Sequence, residues 1–240
     1  MAQIRILALS SSRAGNSGYL ETAAPLIKDF MGTKPGNIAF IPFASVTNEF
    51  EEYASRVNEA LTGIPQTIQA VLPENARSVI EESDIIMTGG GNTFKLLHDI
   101  YKYNLMETIR LKVLAGTPYI GWSAGTNITG PTIGTTNDMP IVEPESFRAL
   151  NFFPFQINPH YISLKPEGFN GETRDQRLEE FLQMNPGRNI IGLPEGTALR
   201  LEAGTLNFTG PEPGVLFQTE GNRGTSRREI KQGTDLSFLL

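Results

Sequence analysis

Short apolar runs alternate with longer amphipathic stretches over the first half of the chain, a pattern typical of strands that alternate with helices. The apolar runs predict five strands, at residues 3–10, 37–44, 66–72, 84–88 and 117–122. The amphipathic stretches predict helices at residues 18–31, 49–61, 73–83, 95–103 and 105–115. Elements in this order form βαβ units, so we predict an α/β fold with a mostly parallel open sheet flanked by helices.

The second half of the chain is less regular. Residues 129–140 are rich in turn formers, and residues 152–162 have strand composition interrupted by prolines. A helix is predicted at residues 173–184 and a sixth strand at residues 189–193. From residue 198 onward, short alternating stretches separated by glycine- and proline-containing turns predict antiparallel strands that close one side of the fold.

Composition narrows the class of protein. The 240 residues are 39% hydrophobic and no linker is visible, so we predict a single domain over residues 1–240 rather than two. The net charge of -6 and the absence of any run of Lys and Arg argue against nucleic acid or membrane as partner. The apolar run at residues 4–9 is too short for a signal peptide or a membrane span, so we expect a soluble cytoplasmic protein. The chain has no cysteine, and we expect neither a metal nor a cofactor.

The strand at residues 117–122 runs into GWSAGTN, which has the pattern of a nucleophile elbow. Gly121 and Gly125 flank Ser123 at two residues on either side, so a sharp turn can lift the hydroxyl out of the sheet without a steric clash. Ser123 would then lie at a helix N-terminus, which favours a developing oxyanion. The pattern is weak alone, and a tight turn in a packed core is the alternative.

Three consecutive glycines, Gly89, Gly90 and Gly91, follow the strand at residues 84–88. Glycines at this place let the backbone approach a ligand closely and direct free N–H groups toward it. Because loops after parallel strands lie at the same edge of a sheet, this loop and Ser123 are expected to face one crevice. A phosphate-binding loop is the competing interpretation, but neither G-x-G-x-x-G nor Gly-Lys-Ser/Thr is present. The simplest interpretation is a turn that has no role beyond packing.

Two histidines are candidates for a catalytic base. His98 lies inside the helix after the glycine loop, where a surface or half-buried position is expected. His160 follows Pro159, whose fixed φ would help to hold the ring in one orientation, so His160 is the better candidate. Asp138 and Glu195 are the two candidate carboxylates that could orient it.

Two arginines are predicted in the first turn of a helix, where a positive charge is unfavourable. Thr173 and Gln176 have the spacing of a capping box, which puts Arg174 and Arg177 in the first turn of the helix. The helix dipole disfavours cations there, so these residues are candidates for binding an acidic ligand. A solvated helix face is the alternative, and the spacing alone favours it.

Six motifs follow one another along the chain: GGGNTF (89–94), GWSAGTN (121–127), TTNDMPIV (135–142), QINPHY (156–161), GETRDQR (171–177) and GLPEG (192–196). In this order they resemble peptidase E, the aspartyl dipeptidase family. The resemblance covers at least residues 84–200, and six ordered motifs are far more specific than the elbow.

The resemblance implies a serine peptidase of flavodoxin-like or glutamine-amidotransferase-like fold that cleaves dipeptides with an N-terminal aspartate. It implies that Ser123 attacks the peptide carbonyl and that His160 transfers the proton. The N–H groups of Ala124 and of Gly90 or Gly91 would form the oxyanion hole.

The resemblance also gives roles to the charged candidates. Arg174 falls where the family is thought to bind the aspartate carboxylate of the substrate, and its planar fork matches a carboxylate. The third triad residue is either Glu195 or Asp138. We favour Glu195, because a strand end holds a carboxylate more rigidly than a turn-rich loop. Asp138 is then a candidate for binding the free α-ammonium group of the substrate.

The expected partner is therefore a small acidic dipeptide, and the sequence leaves a homodimer open. One alternative is a related serine hydrolase with another aspartyl-peptide specificity. A second is a non-catalytic flavodoxin-like module that binds an anion and in which Ser123 is unreactive. Glutamine amidotransferase chemistry normally uses cysteine, which this chain lacks. Rejection of longer peptides requires a lid, for which we predict residues 163–172.

Overall fold

The computed structural model describes residues 3–164, 167–168, 170–220 and 224–240. Its strands are β1 (Ile6–Leu9), β2 (Asn37–Ile41), β3 (Thr67–Ala70), β4 (Ile85–Thr88), β5 (Tyr119–Trp122), β6 (Gln156–Pro159), β7 (Asn189–Leu193), β8 (Ala198–Glu202), β9 (Thr205–Thr209), β10 (Gly214–Glu220) and β11 (Gly224–Ile230). Its helices are α1 (Ala24–Met31), α2 (Phe50–Ala60), α3 (Ala76–Glu82), α4 (Thr93–Lys102), α5 (Met106–Leu114), α6 (Ala124–Asn127) and α7 (Arg174–Met184), with a 3-10 helix at Ser237–Leu239.

Seven strands form the larger sheet, in the order β3-β2-β4-β5-β1-β8-β9. The first five in this order are parallel, and β8 and β9 are antiparallel to their neighbours. All residues of β1, β4 and β5 are buried, as expected for parallel strands covered on both faces. The predicted α/β class with a mostly parallel sheet is confirmed.

Helices cover both faces of this sheet. On one face, Ile27 and Phe30 of α1 and Val57 of α2 share a buried cluster with Leu7 and Trp122. On the other face, α3, α4 and α5 contribute to a larger buried cluster that includes Ile6, Ile86 and Tyr119 from the sheet. The alternation of side chains along each strand thus supplies two separate cores.

A second sheet of four strands has the order β11-β10-β7-β6. Strands β6 and β7 are parallel, whereas β10 is antiparallel to both β7 and β11. The predicted antiparallel C-terminal strands are present, but they are divided between the two sheets. Strands β8 and β9 extend the larger sheet beside β1, and β10 and β11 complete the smaller one. Alternation of apolar residues predicts a strand but does not select its partner.

The first helix is shorter than predicted. Residues 18–31 have a helical pattern, but α1 begins at Ala24, with Pro25 in its first turn. Proline is favoured at that position because its missing N–H would have no partner within the helix. None of the helices in the described residues has the length and hydrophobicity needed to cross a membrane.

Loops at the carboxyl ends of the two sheets meet at one place. Ser10 directly follows β1, is completely buried, and its hydroxyl donates to the carbonyl of Leu193 at the end of β7 (2.7 Å). The same oxygen accepts a hydrogen bond from the backbone N–H of His160, which follows β6 (3.0 Å). One buried hydroxyl therefore joins three strand ends around the crevice.

Candidate active site

Ser123 lies on a sharp turn between β5 and α6. Its backbone angles are φ 53° and ψ −113°, a conformation that is strained for a residue with a side chain. A Cβ atom on Gly121 would lie 2.4 Å from the carbonyl oxygen of Gly125, and one on Gly125 would lie 2.3 Å from that of Thr88. Both glycines are therefore required by the close backbone packing. The turn is the strand–turn–helix arrangement that the sequence predicts.

His160 directly follows β6 and reaches Ser123. Its Nε2 lies 3.0 Å from Ser123 Oγ, and its side chain is 41% exposed. The backbone of His160 has φ 52°, and its N–H donates to the buried hydroxyl of Ser10. The carbonyl of the preceding residue, Pro159, accepts a hydrogen bond from Asn137 Nδ2 (2.8 Å). Both polar ends of the peptide group between Pro159 and His160 are therefore hydrogen-bonded, which holds the backbone of the histidine in place.

Glu195 lies against the other nitrogen of the imidazole. The distance between Glu195 Oε1 and His160 Nδ1 is 2.9 Å. Parallel pairing of β6 with β7 sets Pro159 opposite Leu193, so the residues that follow these two strand ends become neighbours. The backbone N–H of Gly196 also donates to Ser11 Oγ (3.3 Å). The result is an unbroken hydrogen-bonded chain from Ser123 through His160 to Glu195.

Asp138, the other predicted acid, has different partners. Its Oδ2 accepts hydrogen bonds from the backbone N–H of Thr93 (2.7 Å) and from the hydroxyl of Thr136 (3.2 Å). Thr93 is the first residue of α4, so the carboxylate lies at a helix N-terminus, where the dipole favours a negative charge. Asp138 thus lies near the serine and the histidine without pairing with the imidazole.

The glycine loop packs against Ser123. A Cβ atom on Gly90 would lie 3.0 Å from Ser123 Cβ, and one on Gly91, which has φ 139°, would lie 2.3 Å from the carbonyl oxygen of Ala44. Within the described residues, the backbone N–H groups of Gly90, Gly91 and Ala124 meet no acceptor. The three predicted oxyanion-hole donors are therefore free and near the serine.

Arg174 is the first residue of α7. The capping box before it is present, with Thr173 and Gln176 exchanging their two side-chain to backbone hydrogen bonds. Arg174 Nη1 lies 3.4 Å from Asn158 Oδ1, and no ion-pair partner for it is found in the described part of the chain. Burial, and then the nearby Arg177, lowers the pKa of Arg174, although an arginine remains protonated in proteins.

A pocket of about 240 Å³ joins these groups. Among the residues that the structure describes, ten line it: Thr93, Ser123, Ala124, Asn127, Thr136, Asn137, Asp138, Pro159, His160 and Arg174. His98 is not among them. It lies on α4 with its Nδ1 2.9 Å from Asp99 Oδ1, and its side chain is 31% exposed, so the half-buried position predicted for it is correct.

The sequence model of peptidase family S51 matches residues 6–209. The chain belongs to this family. A peptidase E from Haemophilus influenzae is 49% identical over 215 residues, which cover 89% of this chain and 99% of the relative. Peptidase E from Shewanella oneidensis is 45% identical, covering 99% of both chains, and that from a Nostoc species is 44% identical, covering 98% of this chain and 96% of the relative.

Solved structures show the same fold. A candidate peptidase E from Listeria monocytogenes EGD-e aligns with a TM-score of 0.67 at 23% identity, over 88% of this chain and all of that one. A peptidase from an acI-B1 actinobacterium aligns with a TM-score of 0.62 at 15% identity, over 98% of this chain and 97% of that one. The family match and the peptidase E relatives show that the S51 chain is a serine-type peptidase, a hydrolase, as its six motifs indicate.

Several groups around the site of this S51 peptidase were not predicted from the sequence. Asn127 and Asn137 line the pocket, and Asn158 is buried in β6, where its Nδ2 bonds the carbonyl of Thr135 (2.7 Å). A buried asparagine inside an apolar strand was a usable signal, because such groups need partners. Part of the predicted lid, at residues 165, 166 and 169, lies outside the described residues.

Proposed function

We propose that this peptidase hydrolyses dipeptides that carry an N-terminal aspartate. The observation that carries the proposal is the hydrogen-bonded chain Ser123–His160–Glu195 opening into a small pocket that also contains Arg174. The chain of hydrogen bonds supports covalent catalysis by serine, and the cation supports a substrate with a negative charge.

In the proposed reaction, Ser123 Oγ attacks the carbonyl carbon of the peptide bond while His160 Nε2 takes the hydroxyl proton. The C–N bond then breaks, and the proton passes from His160 to the leaving amine. Water repeats the sequence on the acyl-enzyme and releases aspartate. Glu195 orients the imidazole and stabilises its protonated form through Nδ1, without itself becoming protonated.

The negative charge that develops on the carbonyl oxygen needs donors. The N–H of Ala124 and that of Gly90 or Gly91 are the proposed oxyanion hole, since they are free and belong to backbone next to Ser123. Backbone N–H groups held in advance need no reorganisation when the charge forms, which is why such donors are effective.

Arg174 is proposed to bind the side-chain carboxylate of the substrate. It lines the same pocket as Ser123 and has no carboxylate partner of its own among the described residues. A bidentate pair with a planar guanidinium gives both affinity and orientation. The overall charge of -6 repels an acidic substrate, so a local cation in the pocket is needed to attract it.

Asp138 is proposed to bind the free α-ammonium group of the substrate. Its Oδ2 bonds Thr93 and Thr136, and the residue lines the pocket at the N-terminus of α4. We expect Asp138→Asn to weaken the binding of Asp-Leu to a Ser123→Ala background, measured by calorimetry. If Asp138→Asn leaves dipeptide binding in the Ser123→Ala background unchanged, and lowers only the turnover of the protein that retains Ser123, this role is wrong.

The test of the proposed function is the release of free aspartate from Asp-Leu, with Leu-Asp and Asn-Leu as control substrates and Ser123→Ala as control protein. We expect cleavage of Asp-Leu alone and its loss in the variant. If the folded parent protein cleaves Asn-Leu as well as Asp-Leu, the specificity is wrong. If it cleaves none of the three and Ser123 resists serine-directed reagents, a non-catalytic module is favoured instead.

A further inference from the structure

A tyrosine of α2 contacts the glycine loop at Gly89–Gly91. Tyr53, in the first half of α2, donates a hydrogen bond from its hydroxyl to the carbonyl oxygen of Gly90 (3.0 Å). A Cβ atom on Gly89 would lie 2.7 Å from the same hydroxyl oxygen, so only glycine at that position leaves room for the phenol. The loop and the tyrosine are therefore fitted to each other.

The bonded carbonyl and one candidate oxyanion donor share a peptide group. In a trans peptide, the carbonyl of Gly90 and the N–H of Gly91 point in opposite directions, so fixing one fixes the other. The flanking backbone is held by bonds from Gly89 N–H to the carbonyl of Ile41 (3.0 Å) and from Asn92 N–H to that of Ala44 (2.9 Å). Within the described residues, Tyr53 supplies the one hydrogen bond to the Gly90–Gly91 peptide itself.

Tyr53 is itself held firmly. Its ring packs edge-on against Phe40 at a centroid distance of 5.0 Å, and Phe40 stacks on Trp122, the residue before the serine. Burial raises the pKa of Tyr53, so the phenol remains protonated at neutral pH and able to donate. The hydroxyl is therefore a fixed donor on a rigid support.

We propose that Tyr53 is a positioning residue for the oxyanion hole. Its hydroxyl holds the Gly90–Gly91 peptide in the one orientation that directs the Gly91 N–H to the developing oxyanion. Two adjacent glycines place little steric restriction on rotation of the peptide between them, so the loop needs an external restraint. The inference rests on the proposed function and adds to it a residue outside the pocket.

The test compares Tyr53→Phe with Tyr101→Phe on Asp-Leu. Phenylalanine keeps the ring packing and removes only the hydroxyl. Tyr101 is a matched control, because its hydroxyl also donates to a backbone carbonyl, that of Arg148 (2.9 Å), and it does not line the pocket at Ser123. We expect Tyr53→Phe to lower kcat by about 10- to 100-fold, somewhat less than the loss of an oxyanion donor, with KM unchanged. Tyr101→Phe should keep the parent kcat.

A second measurement separates positioning from a general structural effect. The aldehyde analogue of aspartate forms a bond from its carbonyl carbon to Ser123 Oγ, so that its oxygen becomes the oxyanion while the proton passes to His160. Aspartate itself binds without that step. Tyr53→Phe should lower the affinity for the aldehyde by the same factor by which it lowers kcat. It should leave the affinity for aspartate unchanged.

The outcomes are distinct. If the parent protein cleaves Asp-Leu and Tyr53→Phe matches its kcat and its aldehyde affinity, the role of Tyr53 is overturned. An equal loss of affinity for aldehyde and aspartate also overturns it, because the effect is then on the whole pocket. If the parent protein itself leaves Asp-Leu intact, the proposed function fails first.

Discussion

Gly125 leaves no room for a methyl group, because a Cβ atom there would lie 2.3 Å from the carbonyl oxygen of Thr88 and 2.9 Å from its carbonyl carbon. Both are backbone atoms of β4, in the centre of the larger sheet, so neither can rotate away as a side chain can. The Gly125→Ala variant must therefore separate α6 from β4. An ordinary contact distance of about 3.4 Å requires a displacement of about 1 Å.

This displacement acts directly on the nucleophile, because α6 begins at the residue after Ser123. A 1 Å misplacement of reacting groups lowers a rate by about 100-fold. The overpacking also destabilises the fold by about 1–3 kcal/mol, since the buried bond from Tyr119 Oη to the carbonyl of Gly125 (2.7 Å) resists the shift. In a chain of this size such a loss lowers Tm by about 2–12 °C.

The assay measures kcat/KM on Asp-Leu together with thermal unfolding. Gly18→Ala is the control, because a Cβ there would contact only the side chain of Glu21 within 4 Å. It should match the parent protein in both measurements. If Gly125→Ala retains parent activity and parent Tm, the packing argument for the elbow is wrong.

Three further variants test separate parts of the site. Glu195→Gln removes the negative charge beside His160 and should lower kcat for Asp-Leu by about 10²- to 10⁴-fold with little change in KM; near-normal kcat would show that the carboxylate has no catalytic role. Arg174→Lys keeps the charge but loses the planar fork, so KM for Asp-Leu should rise about tenfold or more, and an unchanged KM would exclude the proposed contact. Ser10→Ala removes both the donor to Leu193 and the acceptor for the His160 N–H, and should destabilise the protein by about 1–3 kcal/mol in urea unfolding while lowering kcat. A variant with parent stability and parent kcat would contradict that positioning role.

Local rules were enough to predict parts of the site. Glycines on either side of Ser123 predict the elbow, because the constraint is steric and acts within a few residues. The same local reasoning predicts the glycine loop at Gly89–Gly91, directly after a buried strand. The capping box predicts where α7 begins, and so places Arg174 at a helix N-terminus.

Contacts between distant residues were not predictable in this way. Ser10 lies 150 residues before His160 in the chain, and nothing in the sequence indicates that its hydroxyl supports the backbone of the histidine. Tyr53 precedes Gly90 by 37 residues and looks like an ordinary core aromatic on an amphipathic helix. The second sheet was missed for the same reason, since strand composition does not specify pairing.

The most direct measurement is the mass of the intact protein during turnover of an activated α-aspartyl ester, trapped by rapid acid quench, because a good leaving group makes acylation faster than deacylation. The account predicts a species heavier by one aspartyl group, with the modification mapped to the peptide that contains Ser123. The species should be absent from Ser123→Ala and should accumulate to a greater extent when deacylation is slower than acylation. If a protein that is releasing aspartate carries the aspartyl group on another residue, the account of this site is contradicted.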